Sequence, residues 1–333
     1  MGSDRLPLIL FTGFLGSGKT TLLNRLLREP AFADSGVVVN EIGAIGLDHW
    51  LMEGAGDDMR LLEGGCLCCA LGEGLPEAVQ RLLQRRQELG AAPLQRILVE
   101  TSGAASPLPL LQQVLSHPFL ARNVSLEGVV TLVDGVLGTA TLERHEEARE
   151  QAAVADLLVL SKADLTRAAD QEALESSLDG LNERAPRITS ASRNLARRIL
   201  GLGSSAPERP PLPPADPLVL PGQGPHRQGL YRSHSRALPG PVAAEALEQW
   251  LDEIMAFGGA GLLRLKGIVA LEGESRPLVI QAVQHLIHPP LFLDAWPDGL
   301  PGGRVTIVQR GLEGSLVEDA LDWLAAEATP DVR

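Results

Sequence analysis

Gly13-Phe14-Leu15-Gly16-Ser17-Gly18-Lys19-Thr20 decides the fold. Its spacing is G-x-x-x-x-G-K-[ST], and it lies between an apolar run, Leu8–Thr12, and a helical pattern, Thr20–Arg28. A phosphate needs several N–H donors converging on one point, and a helix N-terminus supplies them. Glycines let the backbone curl around the anion where a Cβ would collide. Lys19 is a compact charge for the β- and γ-phosphates, and the Thr20 hydroxyl suits Mg²⁺. A plain glycine-rich turn would not require Lys-Thr just inside the helix. Gly13, Gly16, Ser17, Gly18, Lys19, Thr20 and Thr21 are therefore the candidate phosphate-binding set, with Lys19 also a candidate catalytic group.

Around this loop, Val37–Asn40, Ile97–Glu100, Val129–Val133 and Asp156–Ser161 are short, apolar and rich in Val, Leu and Ile. Such runs fit strands buried on both faces. Helical patterns alternate with them, among them Leu75–Leu89. The implied architecture is α/β: a doubly wound, mostly parallel sheet with helices on both faces. From Gly201 to Pro225 the composition turns to Pro, Gly and Ser, which reads as a linker. Beyond it, helical patterns at Ala246–Met255 and Leu316–Leu324 flank strand-like runs at Leu262–Leu271, Leu278–Val283 and Val305–Val308. The expected organisation is a phosphate-loop domain over residues 1–200, a linker over 201–228 and a smaller α+β domain over 229–330.

The 333 residues suit two domains, and the net charge of −13 argues against nucleic acid or anionic membrane as bulk-charge partners. Apolar residues at 44% and charged residues at 21% exclude wholesale disorder. Aromatics at 3% disfavour a base-stacking platform. The opening Met1–Pro7 shows no secretory signal, and three cysteines confined to Cys66–Cys69 make no disulfide framework. A cytoplasmic, reduced setting is the expectation.

Ser161-Lys162-Ala163-Asp164 ends an apolar run and is similar to the N-K-x-D guanine motif, with Ser161 in the Asn position. A carboxylate at Asp164 would accept from guanine N1–H and its 2-amino group; adenine offers an acceptor at N1 and would be repelled. Lys162 would lay its stem along the base. Glu100 closes another apolar run and begins E-x-x-G. At a strand's C-terminal edge it would hold a Mg²⁺-bound water or orient the attacking one, and it is the second candidate catalytic residue. Asp134, at the end of Val129–Val133, reads as a structural cap at least as readily. Glu41 and Asp48 occupy the place of a γ-phosphate-sensing switch and are candidate Mg²⁺ ligands, with ordinary loop acids the alternative.

Cys66, Cys68 and Cys69 form C-x-C-C. Three thiols in four positions suit Zn²⁺ or another soft metal better than core packing or thioredoxin-type redox chemistry. Three ligands fall short of a closed structural zinc site, which fits an exchangeable one. His226 and His234 are isolated and read as surface residues. His285 and His288 are spaced i, i+3, but Pro289 argues for a turn or packing role.

Several stretches together resemble one family. They are Gly13–Asn24, Asn40–Gly43 (N-E-I-G), Gly64–Cys69 (G-G-C-L-C-C), Glu100–Pro107 (E-T-S-G-A-A-S-P), the S-K-A-D segment and Leu263–Gly267 (L-R-L-K-G). The chain resembles, nearly end to end, the CobW-type metal-homeostasis GTPases of the CobW/HypB/UreG group of phosphate-loop proteins. The resemblance implies slow GTP hydrolysis coupled to binding and delivery of a metal, usually Zn²⁺ and in some branches Co²⁺ or Fe²⁺. It also implies a C-terminal domain that helps choose a client metalloprotein; a homodimer stays open. Ile42 stands where the family usually has Phe, and Val39 and Ala44 stand where an acid often flanks. A small-molecule kinase and a metal sensor or storage protein with slow GTP turnover are the alternatives. The first predicts ATP preference; the second predicts metal retention without delivery.

Overall fold

The computed structural model describes residues 5–40, 59–61, 67–70, 74–202, 230–296 and 303–328. The apolar runs become strands β1 (Leu6–Gly13), β2 (Ser35–Asn40), β5 (Arg96–Thr101), β6 (Val124–Asp134) and β7 (Leu157–Ser161). With β3 (Met59–Leu61), β4 (Leu67–Ala70) and β8 (Arg187–Thr189) they form a sheet in the order β3-β4-β2-β5-β1-β6-β7-β8. Its pairs are parallel except β3 with β4.

Alternation along each strand decides which helices cover it. Leu8 and Leu10 face the same core as Val38, Ile97, Val99 and Leu158, under α2 (Leu75–Glu88), α3 (Leu108–Ser116) and α7 (Ala168–Asn182). Ile9 and Phe11 face the opposite way, with Val37, Leu98 and Val159, under α1 (Lys19–Leu26) and α8 (Leu195–Leu200). The first domain is therefore doubly wound, as its sequence pattern implies. Three further helices complete its described part: α4 (Pro118–Asn123), α5 (Gly138–Arg144) and α6 (Glu146–Ala153).

The second domain holds β9 (Tyr231–Ala237), α9 (Ala244–Gly258), β10 (Leu262–Val269), β11 (Leu278–Val283), β12 (Leu286–Ile287), β13 (Leu291–Phe292), β14 (Gly303–Arg310) and α10 (Gly314–Glu327). Its sheet is antiparallel, in the order β12-β11-β10-β14-β9, with β13 on β11. One face packs under α9 and α10, where fully buried Trp250 donates from Nε1 to Ala320 O at 2.8 Å. The other face joins the first domain: Tyr231, Leu263, Val283 and Val308 belong to the same core as Leu8 and Val99.

Two histidine expectations meet the structure differently. His234 is not a surface residue: it is 9% exposed on β9, and its Nδ1 lies 3.3 Å from Glu318 Oε1. Burial pushes its pKa down against the opposing pull of Glu318. Gln284-His285 is the two-residue turn between β11 and β12, with Gln284 at φ +52°. This leaves His285 exposed and His288 buried with Nδ1 2.7 Å from Pro289 O, so the pair shares no face and the turn or packing role holds. His226 lies outside the described residues.

Candidate functional site

β1 delivers the chain to the phosphate loop at the C-terminal edge of the sheet, where ligands gather in such folds. Gly13 is required there on two counts: its φ is +138°, and a Cβ would meet Leu132 O at 2.3 Å. Lys19 Nζ donates to Gly13 O at 2.8 Å and to Phe14 O at 3.3 Å, so the loop's own carbonyls hold the ammonium at its mouth. Ser17 is 1% exposed beneath the loop, Gly18 caps α1 at φ +89°, and Thr21 is exposed on the first turn.

Glu100 sits at the end of β5, 5% exposed, and its Oε1 accepts the Thr20 hydroxyl at 2.7 Å. The glycine of the E-x-x-G segment has a steric reason. A Cβ on Gly103 would stand 2.7 Å from Leu15 N, so only glycine lets this loop lie against the phosphate loop. Thr101 donates from its hydroxyl to Thr12 at 2.8 Å and ties β5 to β1 at the same level.

Ser161 ends β7 and is buried, with its Oγ 3.4 Å from Val133 O. Lys162 takes the left-handed conformation at φ +52° and reaches back. Its Nζ donates to Gly16 O at 3.0 Å and to Asp134 Oδ2 at 2.5 Å. Asp164 follows on a 3-10 turn, Ala163–Leu165; it is exposed, and its carboxylate makes no hydrogen bond or ion pair among the described residues. Asp134 proves to be the cap that its position suggested, because its Oδ1 accepts Val136 N at 2.8 Å and Leu137 N at 3.1 Å. Burial pushes its carboxyl up, but Lys162 and these two N–H groups outweigh it, and the net pKa lies below the ordinary aspartate value.

The structure thus brings Thr20 and Glu100 together, holds Lys19 on the loop's own carbonyls, and sets Ser161 and Lys162 beside Gly18 and Gly16. Glu41, Asp48 and Cys66 lie outside the described residues. For Cys68 and Cys69 the backbone places the segment: β4 lies beside β2, with Val37 opposite Cys68 and Val38 opposite Cys69. β2 lies beside β5, with Val39 opposite Glu100. Two strand spacings therefore separate the thiol strand from the Glu100 strand, about 10 Å.

Some supporting residues have no motif. Gln151, fully buried in α6, donates from Nε2 to Gly103 O at 3.2 Å and Ala105 O at 2.9 Å, holding the loop after Glu100. Phe14 stacks on His145 with ring centroids 4.3 Å apart, fixing the outer wall of the phosphate loop against the start of α6. No spacing signal marks either contact, since each is made across distant parts of the chain.

Comparison with known proteins gives two family matches. The CobW/HypB/UreG nucleotide-binding domain matches residues 7–189, and the cobalamin synthesis protein cobW C-terminal domain matches residues 231–325. The zinc chaperone YjiA of Escherichia coli is 30% identical over 281 residues, covering 83% of this chain and 86% of that protein. A zinc chaperone CobW of Pseudomonas aeruginosa is 30% identical over 319 residues, covering 84% and 80%. The solved structure of Zn(II)-bound YjiA GTPase from E. coli superposes with a TM-score of 0.70 at 27% identity, covering 96% of this chain and 99% of that one.

Proposed function

The chain belongs to the CobW/HypB/UreG family, and we propose that it is a GTP-hydrolysing metallochaperone. In this reading it carries Zn²⁺ on Cys66, Cys68 and Cys69 and passes it to a client metalloprotein in the cytoplasm. One observation supports this above the rest: the thiol strand β4 stands two strands from Glu100, whose carboxylate holds the Thr20 hydroxyl.

The phosphate loop would take the triphosphate on backbone N–H groups from Gly16 to Thr21, with Lys19 against the β- and γ-phosphates. The oxygens of Thr20 and Glu100, 2.7 Å apart, are a hydroxyl and a carboxylate, a donor set suited to Mg²⁺ directly or through water. When bound, Mg²⁺ would neutralise charge building on the transferred phosphoryl group. Lys19 needs little reorganisation because Gly13 O and Phe14 O already hold it. Asp164 would read the guanine edge, and Lys162, bonded to Gly16 O, would fix the height of the base above the loop.

Coupling requires that nucleotide and metal each bind two conformations unequally. In this reading Glu41 and Asp48, which follow β2 in the sequence, sense the γ-phosphate, and β2 is the strand directly beside β4. The experiment is Zn²⁺ affinity of the nucleotide-free, GTP and GDP forms. Different values in the GTP and GDP forms are expected; three identical values would end the proposal. Competition between GTP and ATP separates it from a kinase, with preference for GTP expected. Relatives named as zinc chaperones and a Zn(II)-bound neighbour support zinc as the metal, over Co²⁺ or Fe²⁺.

A further inference from the structure

The protein carries a net charge of −13, yet it gathers cations at one place between its two sheets. A cavity of about 110 Å³ opens between the start of β7, α7 and α8 on one side and the second sheet on the other. Arg184, Arg198, Arg264, Lys266 and Arg304 line it, with Asp156 the single acid among the described lining residues. That acid is already engaged, with Arg264 Nη2 at 2.8 Å from its Oδ2 and Lys266 Nζ at 3.6 Å from its Oδ1.

Arg184 and Arg304 are poorly compensated among the described residues. Arg304 makes no ion pair or hydrogen bond among the described residues. The nearest acid to Arg184 is Glu183, at 4.0 Å. Burial lowers the Arg184 pKa, and Arg304 and Arg236 lower it further against the pull of Glu183. Three polar atoms at the cavity, Arg184 Nε, Ser233 Oγ and Arg264 Nη2, are buried with no hydrogen-bond partner among the described residues, the last held only by its ion pair with Asp156. Buried donors without acceptors are costly, so a cavity that keeps them suits an acceptor from outside.

We infer that this interdomain cavity is a binding site for a small phosphomonoester. The chemistry favours that class over a carboxylate. A phosphate presents two charges and three acceptor oxygens, which match guanidinium forks and a hydroxyl converging from different directions. Leu157, Ile268 and Val308 supply apolar wall for an organic body. The site is separate from the phosphate loop. Asp156 precedes β7 and Ser161 ends it, five residues on, which is about 17 Å of strand. Both domains contribute cations, so the ligand would bridge them.

The test is isothermal titration calorimetry on the full chain saturated with GDP and Mg²⁺, so that the phosphate loop is filled. Phenyl phosphate is the probe, with inorganic phosphate and succinate as comparison arms. Saturable one-to-one binding of phenyl phosphate is expected, weaker binding of inorganic phosphate, and weaker still of succinate. Arg304→Met and Arg184→Met should each weaken phenyl phosphate by at least about tenfold. Neither should change the GDP affinity. The pair of variants guards against one that folds badly, and urea unfolding checks both. Absence of saturable heat overturns the inference. So does binding that both variants retain, because that marks the phosphate loop instead. Succinate binding more tightly than phosphate overturns the phosphomonoester class.

Discussion

In the first sheet, β1 and β7 point apolar side chains to both faces, because helices cover both. In the second sheet, β10 is almost as fully buried, yet Arg264 and Lys266 stand among its leucines. The difference lies in what covers each face. Helices that belong to the same fold can offer a continuous apolar surface. The second sheet instead meets the ends of another domain's elements, where backbone carbonyls and acids are exposed. Arg264 donates to Val154 O at 2.6 Å, Lys266 to Glu127 O at 3.3 Å, and Gln281 to Leu126 O at 3.0 Å. Charges in a buried strand here mark the face that docks another domain.

Asp156 is the residue on which the charged docking face depends most. Asp156→Asn keeps the shape but leaves Arg264, 4% exposed, without its counter-charge. The expected loss is about 3 kcal/mol, measured by urea unfolding. Adding Arg264→Met should recover part of it, because the unpaired charge goes too. Failure of the double variant to recover anything would mean that packing, not charge, holds the interface.

The same residue sets an acid limit. Burial pushes the Asp156 carboxyl up, but Arg264 and Lys266, with the N–H of Val129, hold it below the ordinary value. A folded-state pKa below the unfolded one gives stability that is complete above about pH 4 and is lost as pH falls through the folded value. Unfolding free energies between neutral and acidic pH should show that decline in the parent and a shallower one in Asp156→Asn.

At the edge of the first sheet the expected damage is chemical rather than structural. Lys19→Ala should lower GTP turnover on the order of 100-fold, with the unfolding midpoint little changed. A large fall in the midpoint would show that the bonds from Lys19 to Gly13 O and Phe14 O also brace the fold.

How much of this was legible follows from the same contrast. β1, β5 and β7 announce themselves because burial on both faces leaves an unbroken apolar run. β9 does not, because Tyr231–Ala237 is mostly polar, and its His234 finds a partner only when α10 brings up Glu318. At the site, the phosphate loop and Glu100 were readable because their chemistry demands fixed residue types at fixed spacing. Asp134 showed only as a strand-end acid; its bond to Lys162 joins two strands that share no motif. Gln151 gave no signal, since a glutamine inside a helix looks the same whether it holds a loop or faces water.

Arg310 joins the two regions. Its Nη1 lies 2.6 Å from Glu146 Oε1 and 2.7 Å from Glu150 Oε1, both on α6. The same helix carries Gln151 against the loop after Glu100. Arg310 and Glu146 are partly exposed and Glu150 is buried, so Arg310→Ala should cost about 1 to 2 kcal/mol. A fall in GTP turnover with unchanged GDP affinity would show that the second sheet helps position α6.

The smallest effect is expected at Ser161. An asparagine there would restore the residue that the guanine motif usually has. The serine is buried, its Oγ is 3.4 Å from Val133 O, and its Cβ lies 3.9 Å from where a side chain on Gly18 would start. An asparagine amide has little free space, but it gains reach toward the loop. The bond from Lys162 to Gly16 O already braces that loop from the same side. These effects oppose each other, so Ser161→Asn should change GDP affinity by less than about threefold, read by titration with a fluorescent analogue. A tenfold gain would mean that Lys162 alone braces the loop poorly; a tenfold loss would mean that the first sheet's edge is as tightly packed as its core.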